Sequence, residues 1–324
     1  MNRQRWVRRS LRFLTEQLQQ QGYAVCPETV RGLLRDLGYE LHANRKRFTG
    51  PAHPDRDRQF QYLAQQRQRF SQAGNPVLSV DSKKKELIGN FKNAGRKWSR
   101  AADAVNAHDF RKDASLLAVP YGLYDPYRDR GWIYLGLSAD TAAFATDAIA
   151  WWWRTSGRWS YPEADELLLV ADAGGSNSCS RRLWKHQVQL KLADRWGLAV
   201  TVCHYPTGAS KWNPVEHRLF SPISINWAAE PLRDLETMLS CIRGSCTDAG
   251  WYVQATVCWK RYEHGLTVSD QEMKELDLTK HCTCRDFLCT VLDNPSISHL
   301  GRALKTVDYC VPRGRAWLSG GPVE

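Results

Sequence analysis

The stretch ELLLVADAGGSN, residues 166–177, limits most sharply what this chain folds into. An apolar run that ends in an acid and a glycine turn reads as a buried strand delivering a carboxylate to its exposed end. An acid there costs little where water or a metal ion meets it, and a great deal where it is buried and unpaired. Asp172 therefore either opens a turn or is held at a fixed point by the strand. Three more short runs, NPVLSVDSK, GWIYLGLS and LAVTVCHYP, read as strands. Between these lie two helical stretches, DTAAFATDAIAWWWRTSG and SRRLWKHQVQLKLADRWG. Strands alternating with helices specify an α/β domain with a mixed sheet. Trp151, Trp152 and Trp153 cover too much of a helix's girth for one buried face, so part of that surface is expected to meet the preceding linker helix or the C-terminal tail.

Ahead of this domain, Leu11, Leu14 and Leu18 repeat on one helical face that Gly22 ends, and Val30, Leu33, Leu34 and Leu37 mark a second helix begun by Pro27 and stopped at Gly38. The second helix carries Arg31 and Arg35 on its polar side. The pair reads equally as a helix-turn-helix with these arginines facing DNA and as a helical hairpin packed on a larger domain. LHANRKRFTGPAHPDRDRQ is a basic, proline-containing linker, followed by a helix bearing Phe60, Leu63 and Phe70 that ends near Gly74.

Lys plus Arg number 45 against 34 Asp plus Glu, a net charge of +11, which favours a polyanionic partner with nucleic acid first. Arg3, Arg5, Arg8, Arg9 and Arg12 interrupt any signal-peptide core, and no run approaches the roughly 20 apolar residues of a membrane helix. A cytoplasmic protein without a membrane partner is expected, its ten cysteines reduced. His281, Cys282, Cys284 and Cys289 cluster, but their spacing is irregular for zinc.

Two strands end in an acid: VLSVD delivers Asp81 and LLLVAD delivers Asp172. On neighbouring strands these carboxylates would repel and raise each other's pKa unless a divalent cation stood between them. Hard oxygen donors on rigid strands suit Mg²⁺, while a turn-opening role suits each acid alone. Glu216, three residues after Asn213 in NPVE, is a third candidate. Its rival reading is a capping box in which Glu216 serves the backbone of the cap, and local pattern favours the cap.

SVDSKKKELIGNFKNAGRKW, VNAHDF, PYGLYD, ADAGGSN, SRRLWK and CHYPTGASKWNPVEHRLFSPISINW resemble, in order, the successive motifs of the Rhodopirellula-type DDE transposases of bacterial insertion sequences. The likeness runs from about residue 5 to about residue 281. It implies an RNase H-like catalytic domain preceded by helix-turn-helix DNA-binding elements. It places an acidic triad on Asp81, Asp172 and Glu216 as catalytic residues and ligands for Mg²⁺, with Mn²⁺ able to substitute. The implied chemistry is two-metal phosphoryl transfer on double-stranded DNA, at element ends and target, by a homo-oligomer. Lys83, Lys84, Lys85, Lys211 and His217 flank the acids as phosphate-binding candidates, or as ordinary solvated charges.

The expected organisation is a DNA-binding region over 1–45, a linker and helix over 46–75, the catalytic domain over 76–265 and a tail over 266–324. The chain starts almost at the helix-turn-helix, and the resemblance fades after about Cys284. A truncated, decayed and inactive copy would have both features, and Phe287, Leu288, Val291 and Leu292 would then pack poorly. Two alternatives are a non-catalytic DNA-binding remnant acting at element ends and a metal-dependent nuclease.

Overall fold

A computed structural model describes residues 10–40, 55–281 and 288–292. Among the described residues nine strands make one sheet: β1 (Val77–Ser82), β2 (Glu86–Ile88), β3 (Leu116–Asp125), β4 (Arg130–Gly136), β5 (Glu166–Ala171), β6 (Ala199–His204), β7 (Gln254–Cys258), β8 (Leu278–Lys280) and β9 (Leu288–Val291). The order is β7-β4-β3-β1-β5-β6-β9-β8, with β2 paired to β3. β1, β3 and β4 form an antiparallel meander, and β5 and β6 continue beside β1 in parallel. This is the mixed α/β sheet clad in helices that the alternation of strands and helices specifies. The apolar run of β5 needs no alternation because both of its faces are covered.

Alternation along β1 and β5 divides the core. Leu78, Val80, Leu167 and Leu169 face the cluster built on α4 (Ala142–Trp152) and the helix Arg182–Val188. Val77, Leu168 and Val170 face the other way, against Leu63 and Phe70 of α3 (Arg56–Gln72). Counting on by twos, Asp81 and Asp172 belong to this second face.

Four of the expected strands form as β1, β4, β5 and β6; the longest, β3, escapes sequence reading. Pro120 lies inside it, paired with Leu135, and an internal proline argues against a central strand. Here the Pro120 carbonyl accepts from Lys83 N–H at 2.8 Å, anchoring the exit of β1. Both long helices are broken by a π-turn, at Trp153–Gly157 and at Gln189–Ala193. The extra residue shifts the helical phase; Trp151 and Trp152 find cover on β4, and Trp153 packs beside Trp152. Trp152 meets the Trp132 ring edge-on at 5.9 Å and Trp151 lies 5.5 Å from Tyr134. The expected cover is the linker helix or the tail; the ring contacts of Trp151 and Trp152 are instead with β4.

The expectation of a loosely packed end fails for Val291. β9 is inserted between β6 and β8, Val291 is 1% exposed, and Gln189 Nε2 donates to the Leu292 carbonyl at 2.6 Å. The side chains of Phe287 and Leu288 lie outside the described residues, as do Cys282 and Cys284 of the cysteine cluster.

The chain divides into two units, residues 1–51 and 52–324. In the first, α1 (Leu11–Gln20) is capped by Ser10, whose side chain accepts from Phe13 N–H. α2 (Pro27–Asp36) begins at Pro27 and has Gly38 just beyond it. The predicted apolar stripe of α2 is only partly used: Val30 is buried, whereas Leu33 and Leu37 are 48% and 72% exposed. Arg31 and Arg35 are exposed, and Arg31 pairs with Glu28 at 2.6 Å. Residues 41–54 of the expected linker lie outside the described residues. No described helix is long and apolar enough to cross a membrane.

Candidate active site

The last registered pair between β1 and β5 is Val80 with Ala171. Asp81 and Asp172 are the next residues on two parallel neighbours, so the pairing itself brings both carboxylates to one end of the sheet. On its other side Asp81 stands opposite Gly122 of β3. That glycine is needed for close approach. A Cβ there would strike the Phe220 ring and come within 2.9 Å of Val215 Cγ2. Both belong to the π-helical segment Val215–Phe220, which carries Glu216. The absent side chain lets that segment lie directly over β3, bringing Glu216 to Asp81.

Asn213 joins these pieces. It is fully buried, and its Nδ2 donates to Asp172 Oδ1 at 3.3 Å while its Oδ1 accepts from Ser79 Oγ on β1. Its backbone carbonyl accepts from Glu216 N–H at 3.1 Å. The capping-box reading is thereby corrected, because the Asn213 side chain turns into the sheet and the segment has no side-chain cap. The draw of a buried carboxylate and a strand hydroxyl outweighs local capping.

Electrostatics mark the three acids as a group. Burial pushes the Asp81 carboxyl up to about 8, assisted by the negative charge of Asp172 and by Glu216, through both its charge and a hydrogen bond. Ser82 N–H, donating to Asp81 Oδ1 at 2.7 Å, works in the opposite direction. Asp172 is also raised, first by burial and then by Glu216, against the opposing Asn213 bond. Among the described residues no group of three or more His, Cys, Asp or Glu is arranged so as to hold a metal ion. Mg²⁺ asks for no such group, since it keeps several waters and takes one or two carboxylates together with substrate phosphate. Crowded hard-oxygen donors of this kind, with Asp81 and Asp172 both raised by burial and neighbouring negative charge, fit a divalent cation.

A cavity of about 600 Å³ opens beside Asp81 and Asp172, lined also by Lys84, Lys85, Gly174 and Gly175. Gly175 has φ of +68°, a turn that side chains resist, and a Cβ on Gly174 would meet nothing within 4 Å. Backbone is thus presented openly to the cavity. Behind it Asn177 is buried, accepting from Tyr121 Oη at 2.7 Å and bonded through its carbonyl to His204 Nε2 at 2.7 Å.

The predicted basic residues separate. Lys84 and Lys85 are exposed at the cavity. Lys83 also lines it but is tied down, pairing with Glu86 at 2.8 Å and lying 4.7 Å from the Trp227 ring. Lys211 and His217 are exposed and bond each other, the His217 ring to the Lys211 carbonyl at 2.6 Å. Two further residues carry no local sequence signal: Ser79, and Asp140, which lines the cavity with one carboxylate oxygen buried and unpartnered among the described residues.

The family model of the Rhodopirellula transposase DDE domain matches residues 1–292. The chain belongs to that DDE transposase family. Its matched span includes all three acids and β9, and so runs past the point where the likeness of the quoted motifs faded. No curated protein is detectably similar in sequence. Among solved structures, the Mos1 transposase paired-end complex with left transposon end is 15% identical, with a TM-score of 0.44, covering 71% of this chain and 64% of that one. The mariner Mos1 paired end complex with Mg is 14% identical at a TM-score of 0.44, with the same coverage. This DDE family member thus spans about two thirds of the Mos1 chains it resembles.

Proposed function

We propose that this chain is the transposase of an insertion sequence, cutting and joining double-stranded DNA at Asp81, Asp172 and Glu216. One observation carries the reading. In a DDE family member, strand register delivers two acids side by side, and a third reaches them through a glycine gap in the next strand. Bound Mg²⁺ ions, or Mn²⁺ in their place, would activate the attacking oxygen and neutralise the leaving one. The three carboxylates would supply the ligands, Asp81 standing next to both others. Lys84 and Lys85 hold phosphates by charge, and the Gly174–Gly175 backbone lets the DNA strand come close. Lys83 and Lys211 add to the positive charge, and His217 stands beside Lys211, bonded to its carbonyl. Arg31 and Arg35 of α2 read or anchor the element ends as part of a helix-turn-helix. A homo-oligomer working in the cytoplasm holds two ends together.

The test uses purified full-length chain, Mg²⁺, and DNA carrying the element's own terminal repeats beside a target plasmid. Cleavage followed by joining of the freed 3′ end supports a transposase. Cleavage without joining indicates a nuclease, and binding without either indicates a DNA-binding remnant.

A further inference from the structure

We infer that Asn213 is a positioning residue that sets the second and third carboxylates relative to each other, and that Ser79 fixes the direction of its amide. This rests on the metal-binding reading of the acids given above. An ionised carboxylate only accepts hydrogen bonds, so the amide nitrogen of Asn213 must be the atom facing Asp172. Its oxygen then faces Ser79, whose hydroxyl must donate. A flipped amide would set oxygen against carboxylate oxygen, and the Ser79 bond holds the productive orientation. The same residue starts the turn that carries Glu216, through its carbonyl to Glu216 N–H at 3.1 Å. Asn213 therefore touches Asp172 with its side chain and controls Glu216 with its backbone, from a fully buried site anchored on β1 two residues before Asp81. Ordering of ligands by a buried outer partner is a recognised determinant of metal affinity.

The experiment measures Mn²⁺ affinity by the electron paramagnetic resonance signal of free Mn²⁺, without DNA, on full-length protein. Thermal unfolding in chelator is run alongside. Asn213→Ala is expected to weaken Mn²⁺ binding about ten- to a hundredfold. Ser79→Ala is expected to weaken it about two- to tenfold, the scale of one hydrogen bond. The double variant should match Asn213→Ala alone, because Ser79 acts through Asn213. A purely structural role would lower unfolding temperature and leave the affinity of the folded fraction unchanged. Ser79→Ala removes a single hydroxyl and carries the test if Asn213→Ala does not fold. Asp172→Asn separates the two levels. If it binds Mn²⁺ like wild type, the metal reading falls and this inference with it. If it loses affinity while Ser79→Ala and Asn213→Ala stay within twofold of wild type, the positioning role alone is overturned. Multiplying effects in the double variant would likewise overturn the route through Asn213.

Discussion

Replacing Asp81 with Asn is predicted to stabilise the metal-free protein, and to do so more at pH 8 than at pH 5. Burial with the charges of Asp172 and Glu216 lifts the folded carboxyl from 3.8 to about 8. The folded state therefore binds this proton more tightly than the unfolded chain, and wild-type stability falls as pH rises. The fall begins above the unfolded value, near 3.8, and levels off once the folded carboxyl has ionised near 8. At about 1.36 kcal/mol per pH unit, the interval from pH 5 to pH 8 is worth at most about 4 kcal/mol. The proton is shared with neighbouring acids, so about 1–3 kcal/mol is the expected difference. Asn keeps the shape, and its oxygen still accepts from Ser82 N–H. It carries no charge at either pH. Urea unfolding of wild type and variant in chelator at pH 5, 6.5 and 8 measures the gap. A variant that is less stable than wild type by the same margin at all three values would refute the crowded-carboxylate account. Mg²⁺ added at pH 8 should restore wild-type stability by mass action and help the variant less.

Other outcomes follow from packing and charge. Gly122→Ala should lose about 1–3 kcal/mol by overpacking against Phe220 and Val215, and should lose more cleavage than Gly136→Ala, whose Cβ strikes Phe144 on the opposite face. Denaturant midpoints beside cleavage rates check this, and equal activity in the two would show that Gly122 does not place Glu216. A chain ending at residue 287 should be about 2–4 kcal/mol less stable than one ending at 292, since Val291 and Cys289 are buried in β9; no difference in unfolding midpoint would mean β9 adds nothing. Arg31→Ala with Arg35→Ala should weaken binding to element ends by about 1–3 kcal/mol for each arginine that hydrogen-bonds a base edge. Equal affinity of wild type and variant for every DNA at two salt concentrations would remove the helix-turn-helix.

The parts of the site legible in sequence are those written into one continuous stretch. The β5 run declares itself because burial on both faces demands apolar residues throughout, and the acid at its end then stands out. Asp81 follows by the same logic at the end of β1. β3 is hidden by Pro120 and Gly122, residues that look like loop until their partners are known: Lys83 for the one and the Glu216 segment for the other. The role of Asn213 depends on Ser79 and Asp172, which are 134 and 41 residues away, so only its local capping pattern is readable. β9 is four residues long and gains its meaning from β6 and β8 on either side. The tryptophan run misleads because a regular helix has too narrow a buried face for it; here Trp152 and Trp153 are buried where the helix passes into a π-turn, and Trp151 is half-buried.

The most direct test compares metal-dependent cleavage of element-end DNA by wild type and Asp172→Asn, each shown to be folded and to bind that DNA equally without metal. The substitution keeps the shape beside Asn213 and removes one charged ligand. Cleavage is predicted to fall at least about a hundredfold, the scale of removing a principal transition-state interaction, with metal-free binding nearly unchanged. Near-normal cleavage by a clean preparation of Asp172→Asn would contradict the assignment of Asp81, Asp172 and Glu216 as the reactive centre.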